Sequence, residues 1–240
     1  MKKFRFFLSL CLIMVAATAS AQFANGSKKG SSAAVNTDSY QRFYVSYNPL
    51  SIKPDWEGAE DTNLTGFAFG FTKGISISKS LPLFVEAGAR LQYGFKSEDE
   101  SQSGSYEGYP ATVTWENKYT YMGIVVPVNL AYKWTPSSSP VSITPFFGIT
   151  FKGNIIAKQK ETITATVAGQ SASEENDYDY FDKDEVGKDG QWSRFQAGWQ
   201  VGVGIDYKQL YVGLHYGGDF GEVCKKTKTS NWAVSVGFNF

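Results

Sequence analysis

Along most of the chain apolar and polar residues alternate one for one, the spacing of a strand with a single apolar face. Between Leu83 and Phe95 the odd positions are all apolar, while the even ones carry Glu86, Arg90, Gln92 and glycines, with Phe84 the exception. Residues 194–207 repeat the scheme: Phe195, Ala197, Trp199, Val201, Val203, Ile205 and Tyr207 share one face. The pattern predicts eight strands, at 42–47, 66–77, 83–95, 121–134, 141–152, 194–207, 210–219 and 231–240. Several exceed the five or six residues of ordinary strands and approach the roughly 9–11 that cross a bilayer when tilted.

The connections sort by length. Segments 48–65, 96–120, 153–193 and 220–230 are long, and the intervening ones at 78–82, 135–140 and 208–209 are short. Such alternation marks a meander with tight turns at one end and extended loops at the other, the pattern of an outer-membrane barrel. Charge separates the two faces. The apolar face holds only Lys73, whereas the other holds Arg42, Glu86, Arg90, Lys133, Lys152, Arg194, Asp206 and Asp219. A lipid-facing Lys or Arg at mid-bilayer costs about 2–4 kcal/mol. Lys73 therefore either snorkels to the interface or is turned inward by a bulge at Gly74. Aromatics gather near strand ends: Tyr47, Phe67, Phe95, Phe151, Phe195, Tyr216 and Trp232 at the outer side, and Phe43, Tyr132, Trp134, Tyr207 and Phe240 at the inner. Two girdles are what lipid headgroups select, and a soluble sandwich core would place these rings mid-strand.

The N-terminus is of another kind. Lys2, Lys3 and Arg5 precede an apolar run from Phe6 to Ala17, and Ala19-Ser20-Ala21 gives a small-x-small site, so residues 1–21 are expected to be a signal peptide cleaved after Ala21. The run is too short to span a bilayer, and past residue 21 no stretch suggests a helical span. Residues 22–39 read as a flexible periplasmic segment and 40–240 as the barrel. The whole chain is neutral, with 23 basic and 23 acidic residues. Removing the signal takes three basic residues and leaves 20 against 23. Nothing here supports a nucleic-acid partner. Of the two cysteines, Cys11 falls in the signal, leaving Cys224 without an internal partner, and no residues have zinc-ligand spacing. The expected fold class is all-β: an eight-stranded antiparallel up-and-down transmembrane barrel.

At this point the chain resembles the small outer-membrane β-barrel proteins of the PorT-like and OmpA-like type. The likeness is carried by Ile124-Val125-Val126-Pro127-Val128-Asn129-Leu130-Ala131-Tyr132-Lys133, by Thr144-Pro145-Phe146-Phe147-Gly148, and by the glycine-alternating stretch Ala197–Gly204. Phe240 resembles the terminal aromatic of an insertion signal, with Trp232, Val234, Val236 and Phe238 on the same face. The resemblance implies outer-membrane localisation, lipid and the barrel-assembly machinery as partners, and envelope protein partners. It brings no catalytic residues.

An eight-stranded barrel is just wide enough for its side chains to fill. Inward Tyr44, Phe84, Tyr121, Phe146 and Tyr211 argue against a general pore. Buried charges need partners, so Arg42, Glu86, Arg90, Lys133, Arg194 and Asp206 are expected to form a lumen charge network. Glu86 and Arg90 lie about 13 Å apart along one strand and cannot pair directly; Arg42 and Lys133 are the candidates for Glu86. His215 with Ser235 and Asp219 is the one conceivable lumen catalyst. Acidic residues crowd 174–189, where Asp177-x-Asp179 and Asp182-x-Asp184 look like calcium ligands but lack the spacing of a twelve-residue loop. No cofactor or metal is expected. The function read from sequence is non-enzymatic, structural or surface-interacting through the long loops. The alternatives are a component of a PorT-like secretion or transport assembly and a narrow channel.

Overall fold

The computed structural model describes residues 37–136 and 139–240. The expected signal peptide and most of the segment after it lie outside the described residues. Ten strands form: β1 (Tyr40–Tyr47), β2 (Leu50–Pro54), β3 (Thr62–Ser76), β4 (Leu83–Tyr106), β5 (Tyr109–Tyr132), β6 (Val141–Val167), β7 (Gln170–Asp179), β8 (Phe195–Tyr207), β9 (Leu210–Asp219) and β10 (Thr227–Asn239), with one short helix, α1 (Lys183–Gly190). Among the described residues no helix is long and apolar enough to cross a membrane.

Eight of the strands close a ring. In order β1, β3, β4, β5, β6, β8, β9 and β10 pair antiparallel, and β10 returns to β1 from Arg42 opposite Asn239 to Tyr47 opposite Val234. The result is the expected up-and-down transmembrane barrel. The other two strands are outgrowths of ring strands. β2 continues the path of β1 after a break at Asn48-Pro49 and lies between the same neighbours, β10 and β3. β7 pairs only with β6.

The alternation is inside-out relative to a soluble protein. Arg42, Glu86, Gln92, Asn129, Lys152, Gln200 and Asp206 are buried, while Val45, Phe69, Val126, Phe147, Val201, Leu214 and Val236 are exposed. That arrangement is stable only where the outer surface meets hydrocarbon. Around the outer rim the aromatic rings touch in series: Trp232 to Tyr47 at 5.4 Å, Tyr47 to Phe67 at 5.8 Å, Phe67 to Phe95 at 6.5 Å, and Phe151 to Phe195 at 6.4 Å. Lys73 is exposed on the outer face near the end of β3, and the register through it is unbroken on both sides. The bulge at Gly74 therefore does not form, and its stem is left to carry the ammonium to the interface.

The short connections from β3 to β4, β5 to β6 and β8 to β9 all start from one end of the barrel, which by the general rule for such barrels faces the periplasm. At the other end the expected loops 96–120 and 153–193 are largely strand. β4 and β5 run on past Phe95 as a hairpin closed by Glu107-Gly108, and β6 and β7 as one closed by Ala168-Gly169. In both turns the two residues have positive φ, the type I′ geometry whose twist suits a hairpin. β4 thus extends about 35 Å beyond the girdle, eleven residues at roughly 3.3 Å each. One bulge, at Ile155 between the pairs Gly123–Asn154 and Met122–Ile156, switches which β6 residues face inward. Below it Lys152 and Asn154 point into the barrel, and above it Ala157 is the buried residue.

Candidate functional site

The lumen is filled rather than open. Tyr44 lies against Gly70, where an added Cβ would overlap the ring, and Tyr40 lies likewise on Gly74. The inward glycines thus make room for rings from neighbouring strands, and Phe84, Phe146, Tyr121 and Tyr211 are buried with them.

Toward the short-turn end the structure brings four of the six expected charges together. Arg42 Nη1 is 3.4 Å from Glu86 Oε1 and its Nη2 is 3.3 Å from Asp206 Oδ1. Lys133 Nζ stands 3.3 Å from the other Asp206 oxygen. Neutral groups complete the shells. Tyr40 donates to Glu86 at 2.5 Å and Asn129 donates to it at 3.3 Å. Asn239 accepts from Arg42 Nε at 2.9 Å and donates to Asp206 at 2.6 Å. The Arg42 guanidinium also stacks 3.6 Å from the Tyr211 ring centroid, a cation–π contact strengthened by exclusion of water. Glu86 takes Arg42 as its partner, and Lys133 goes to Asp206.

A second cluster lies nearer the outer end. Arg90 Nη1 is 2.9 Å from His215 Nε2. Arginine can only donate, so Nε2 must be the acceptor and the imidazole the neutral Nδ1–H tautomer. Lys152 Nζ is 2.8 Å from Asp219 and donates to Thr229 at 2.7 Å, while the Thr229 hydroxyl donates to Asp219. A cavity of about 10 Å³, enough for a single water, adjoins Arg90, Lys152 and Asp219. The Ser235 hydroxyl is bonded to Ser46 at 2.7 Å. With His215 Nε2 accepting from Arg90 and Asp219 committed to Lys152 and Thr229, Ser235, His215 and Asp219 form no relay.

Arg194 departs from expectation. It has the inward parity of β8, but β8 begins one residue later, and the side chain is exposed above the lumen with its guanidinium 4.0 Å from the Phe181 ring centroid. Parity assigns a face; it does not assign a height. Tyr40, Asn129 and Asn239 were missed as network members. Tyr40 has the inward parity of Arg42, Asn129 that of Lys133 and Asn239 that of Ser235, but as neutral residues they did not register as partners. Of the expected insertion-signal residues, Trp232, Val234, Val236 and Phe238 are exposed on the outer face of β10, and Phe240 lies one residue past the strand end.

The acidic segment is occupied with its own backbone. Asp182 caps α1 by accepting from Asp184 N at 2.9 Å, Glu185 accepts from Asp179 N at 2.5 Å, and Asp179 accepts from Phe181 N at 3.0 Å. Among the described residues no group of three or more side chains is placed to hold a metal ion.

Above the polar lumen the outer mouth has an apolar core of its own. Leu50, Leu64, Tyr121, Ala157, Trp192 and Val223 are buried together, with Ile52, Tyr119, Tyr180, Phe181 and Cys224 packed on them. These residues come from β2, β3, β5, β6, the segment flanking α1 and the turn before β10.

No protein of curated function matches the chain. Solved structures that resemble it include Ail, the attachment invasion locus protein of Yersinia pestis (12% identity, TM-score 0.35, covering 85% of this chain and 99% of that one). Others are Neisserial surface protein A (12%, 0.36, 84% and 97%) and the N-terminal β-barrel domain of Pseudomonas aeruginosa OprF (11%, 0.29, 82% and 97%). The sequence profile of the family described as outer membrane protein beta-barrel domain matches residues 7–240. With that match and the closed ring of lipid-facing strands, the chain belongs to the outer membrane protein β-barrel domain family and is a protein of the outer membrane.

Proposed function

We propose that this protein is a non-enzymatic surface-interaction protein, whose barrel anchors an outer sheet that docks a partner with a basic surface. The observation that carries this reading is the sheet of β4, β5, β6 and β7 beyond the girdle. It is ordered by cross-strand pairs such as Gln159–Asn117 at 2.9 Å, Lys160–Glu175 at 2.7 Å and Thr164–Ser173 at 2.9 Å. Its composition is acidic: residues 96–120 hold Glu98, Asp99, Glu100, Glu107 and Glu116 against two lysines, and β7 holds Glu174, Glu175, Asp177 and Asp179 with no basic residue. The two outer edges of this sheet, along the outer part of β4 and along residues 170–175 of β7, have no further strand beside them and are exposed. Charged edges resist unspecific strand addition and favour a partner of opposite charge. A filled lumen is consistent with an anchor.

Photo-crosslinking in intact cells tests this. A photoreactive residue at Gly104 or Ser173 should give protein adducts, one at Lys79 in a short turn should not, and neutralising Glu98, Asp99 and Glu100 should abolish those at Gly104. Adducts that ignore position or charge would overturn the reading. In planar bilayers the purified protein should be silent, and a reproducible conductance step would favour the channel instead.

A further inference from the structure

The apolar core at the outer mouth surrounds a cleft of about 280 Å³. Its floor is Leu64, Tyr121 and Ala157, and its walls are Ile52, Trp56, Tyr119, Tyr180 and Trp192. The rings support one another, with Tyr180 to Trp192 at 5.3 Å and Tyr121 to Trp192 at 6.4 Å. Backbone hydrogen bonds fix the wall: Tyr180 N to Ala157 O at 2.9 Å, and Trp192 N to Tyr180 O at 2.7 Å. The cleft is therefore held open by its own framework rather than left as slack between mobile loops.

Its polarity narrows what it takes. The Tyr121 hydroxyl donates to Asn154 at 2.8 Å and the Tyr180 hydroxyl to Gln159 at 2.6 Å. Both phenols spend their donors away from the cleft and turn ring surface toward it, and burial pushes the Tyr180 phenol up, so it stays neutral. Lys158, the one charged group on the lining among the described residues, is at the rim and faces Asp179 at 3.6 Å. A charged ligand would find no counter-ion on the floor. A sugar would find few hydroxyl partners for its many hydroxyls, chiefly Thr62, Thr120 and Tyr119, since Thr227 already donates to Lys225 O. Ligand sites combine mostly apolar walls with few polar groups, and this volume lies just under their usual range of about 300–1,000 Å³.

From these features we infer that the outer mouth binds a small, uncharged, largely apolar molecule carrying one or two aromatic rings. The inference is independent of the outer sheet's role.

Cys224 lines the same cleft and reports on it. Burial pushes its thiol up, so alkylation is slow enough to time. The probe is N-phenyl-1-naphthylamine, added to the purified, membrane-reconstituted protein, with alkylation of Cys224 by N-ethylmaleimide followed by peptide mass. The probe should slow alkylation saturably. Trp56→Ala removes a half-exposed wall ring without disturbing the core, and should weaken apparent affinity by up to about tenfold. Ala157→Leu fills the floor and should abolish protection while the barrel still shows its folded gel mobility. Unchanged alkylation in the wild type, or equal protection in all three proteins, would overturn the inference, because partition into the membrane alone does not distinguish them.

Discussion

Near the short-turn end of the lumen two cations, Arg42 and Lys133, face two carboxylates, Glu86 and Asp206; nearer the outer end Lys152 takes the single carboxylate of Asp219, and Arg90 lies near it with no carboxylate of its own. The first cluster is neutral and its central guanidinium touches both acids. The second is one positive charge in excess, and among the described residues Arg90 makes no ion pair. It donates to a neutral imidazole and leaves its Nε without a partner beside a water-sized cavity. Both arginines are almost wholly buried, so the difference lies in what each one neutralises. Arg42 compensates Glu86, which would otherwise be stranded, and shares Asp206 with Lys133, whereas Arg90 is itself the uncompensated group.

The same substitution should therefore have unequal effects at the two sites. Arg42→Met strands Glu86 and leaves Asp206 to Lys133 alone, and breaking a buried pair from one side costs about 3–5 kcal/mol. It should show as a large drop in the urea midpoint of the reconstituted barrel, recovered in good part by adding Glu86→Gln, which leaves Asp206 paired with Lys133. A midpoint within error of wild type would mean that solvent reaches these acids. Asp219→Asn comes next. It leaves Lys152 and Arg90 as two unneutralised cations and should cost about 2–3 kcal/mol, softened because Thr229 still bonds Lys152.

How far this was legible beforehand differs by region for a physical reason. Where the outer surface meets lipid, a single misplaced charge is costly, so alternation is strict and the ring strands, their inward faces and the girdles could be read from it. Past Phe95 both faces of β4 meet water, the alternation loses its cause, and a strand such as Glu98–Tyr106 looks like a loop. The dipeptides that close the hairpins, Glu107-Gly108 and Ala168-Gly169, are not the Asn-Gly or Asp-Gly that mark such turns strongly. Lumen partners were half legible. Parity gave the inward set, but which charges meet depends on strand stagger, so Arg42–Glu86 remained one of two options and Arg194 was set too low. The aromatic cleft was not legible, because Ile52, Tyr119, Tyr180, Trp192 and Cys224 come from separate segments that no local pattern connects.

Arg90→Met is the sharper test of the comparison, because its expected effect is small where that of Arg42→Met is large. It forfeits one hydrogen bond to His215 but removes an excess buried charge, so stability should stay within about 1 kcal/mol of wild type. The measurement is again the urea midpoint. A loss as large as that of Arg42→Met would show that Arg90 has a compensating anion in the folded protein, bound in the adjoining cavity.

The smallest effect is expected where charges are paired in water. Lys160 and Glu175 face each other across β6 and β7 at 2.7 Å, fully outside the barrel. The hydrogen bond from Lys160 holds the Glu175 carboxyl below its ordinary range, and the same bond raises Lys160. A carboxyl lowered in the folded state contributes its stability above the ordinary carboxylate range and loses it as pH falls through the lowered value. The lysine's contribution holds at neutral pH and fades only above its ordinary range. Acidification should therefore loosen the outer β6–β7 hairpin while the barrel stays closed, and Glu175→Gln should reproduce the loosening at neutral pH. Amide exchange, corrected for its intrinsic pH dependence, reads this directly. Exposed pairs contribute little, so the change should be confined to the hairpin, and faster exchange spreading into Val201 or Val236 would show that the outer sheet and the ring unfold as one unit.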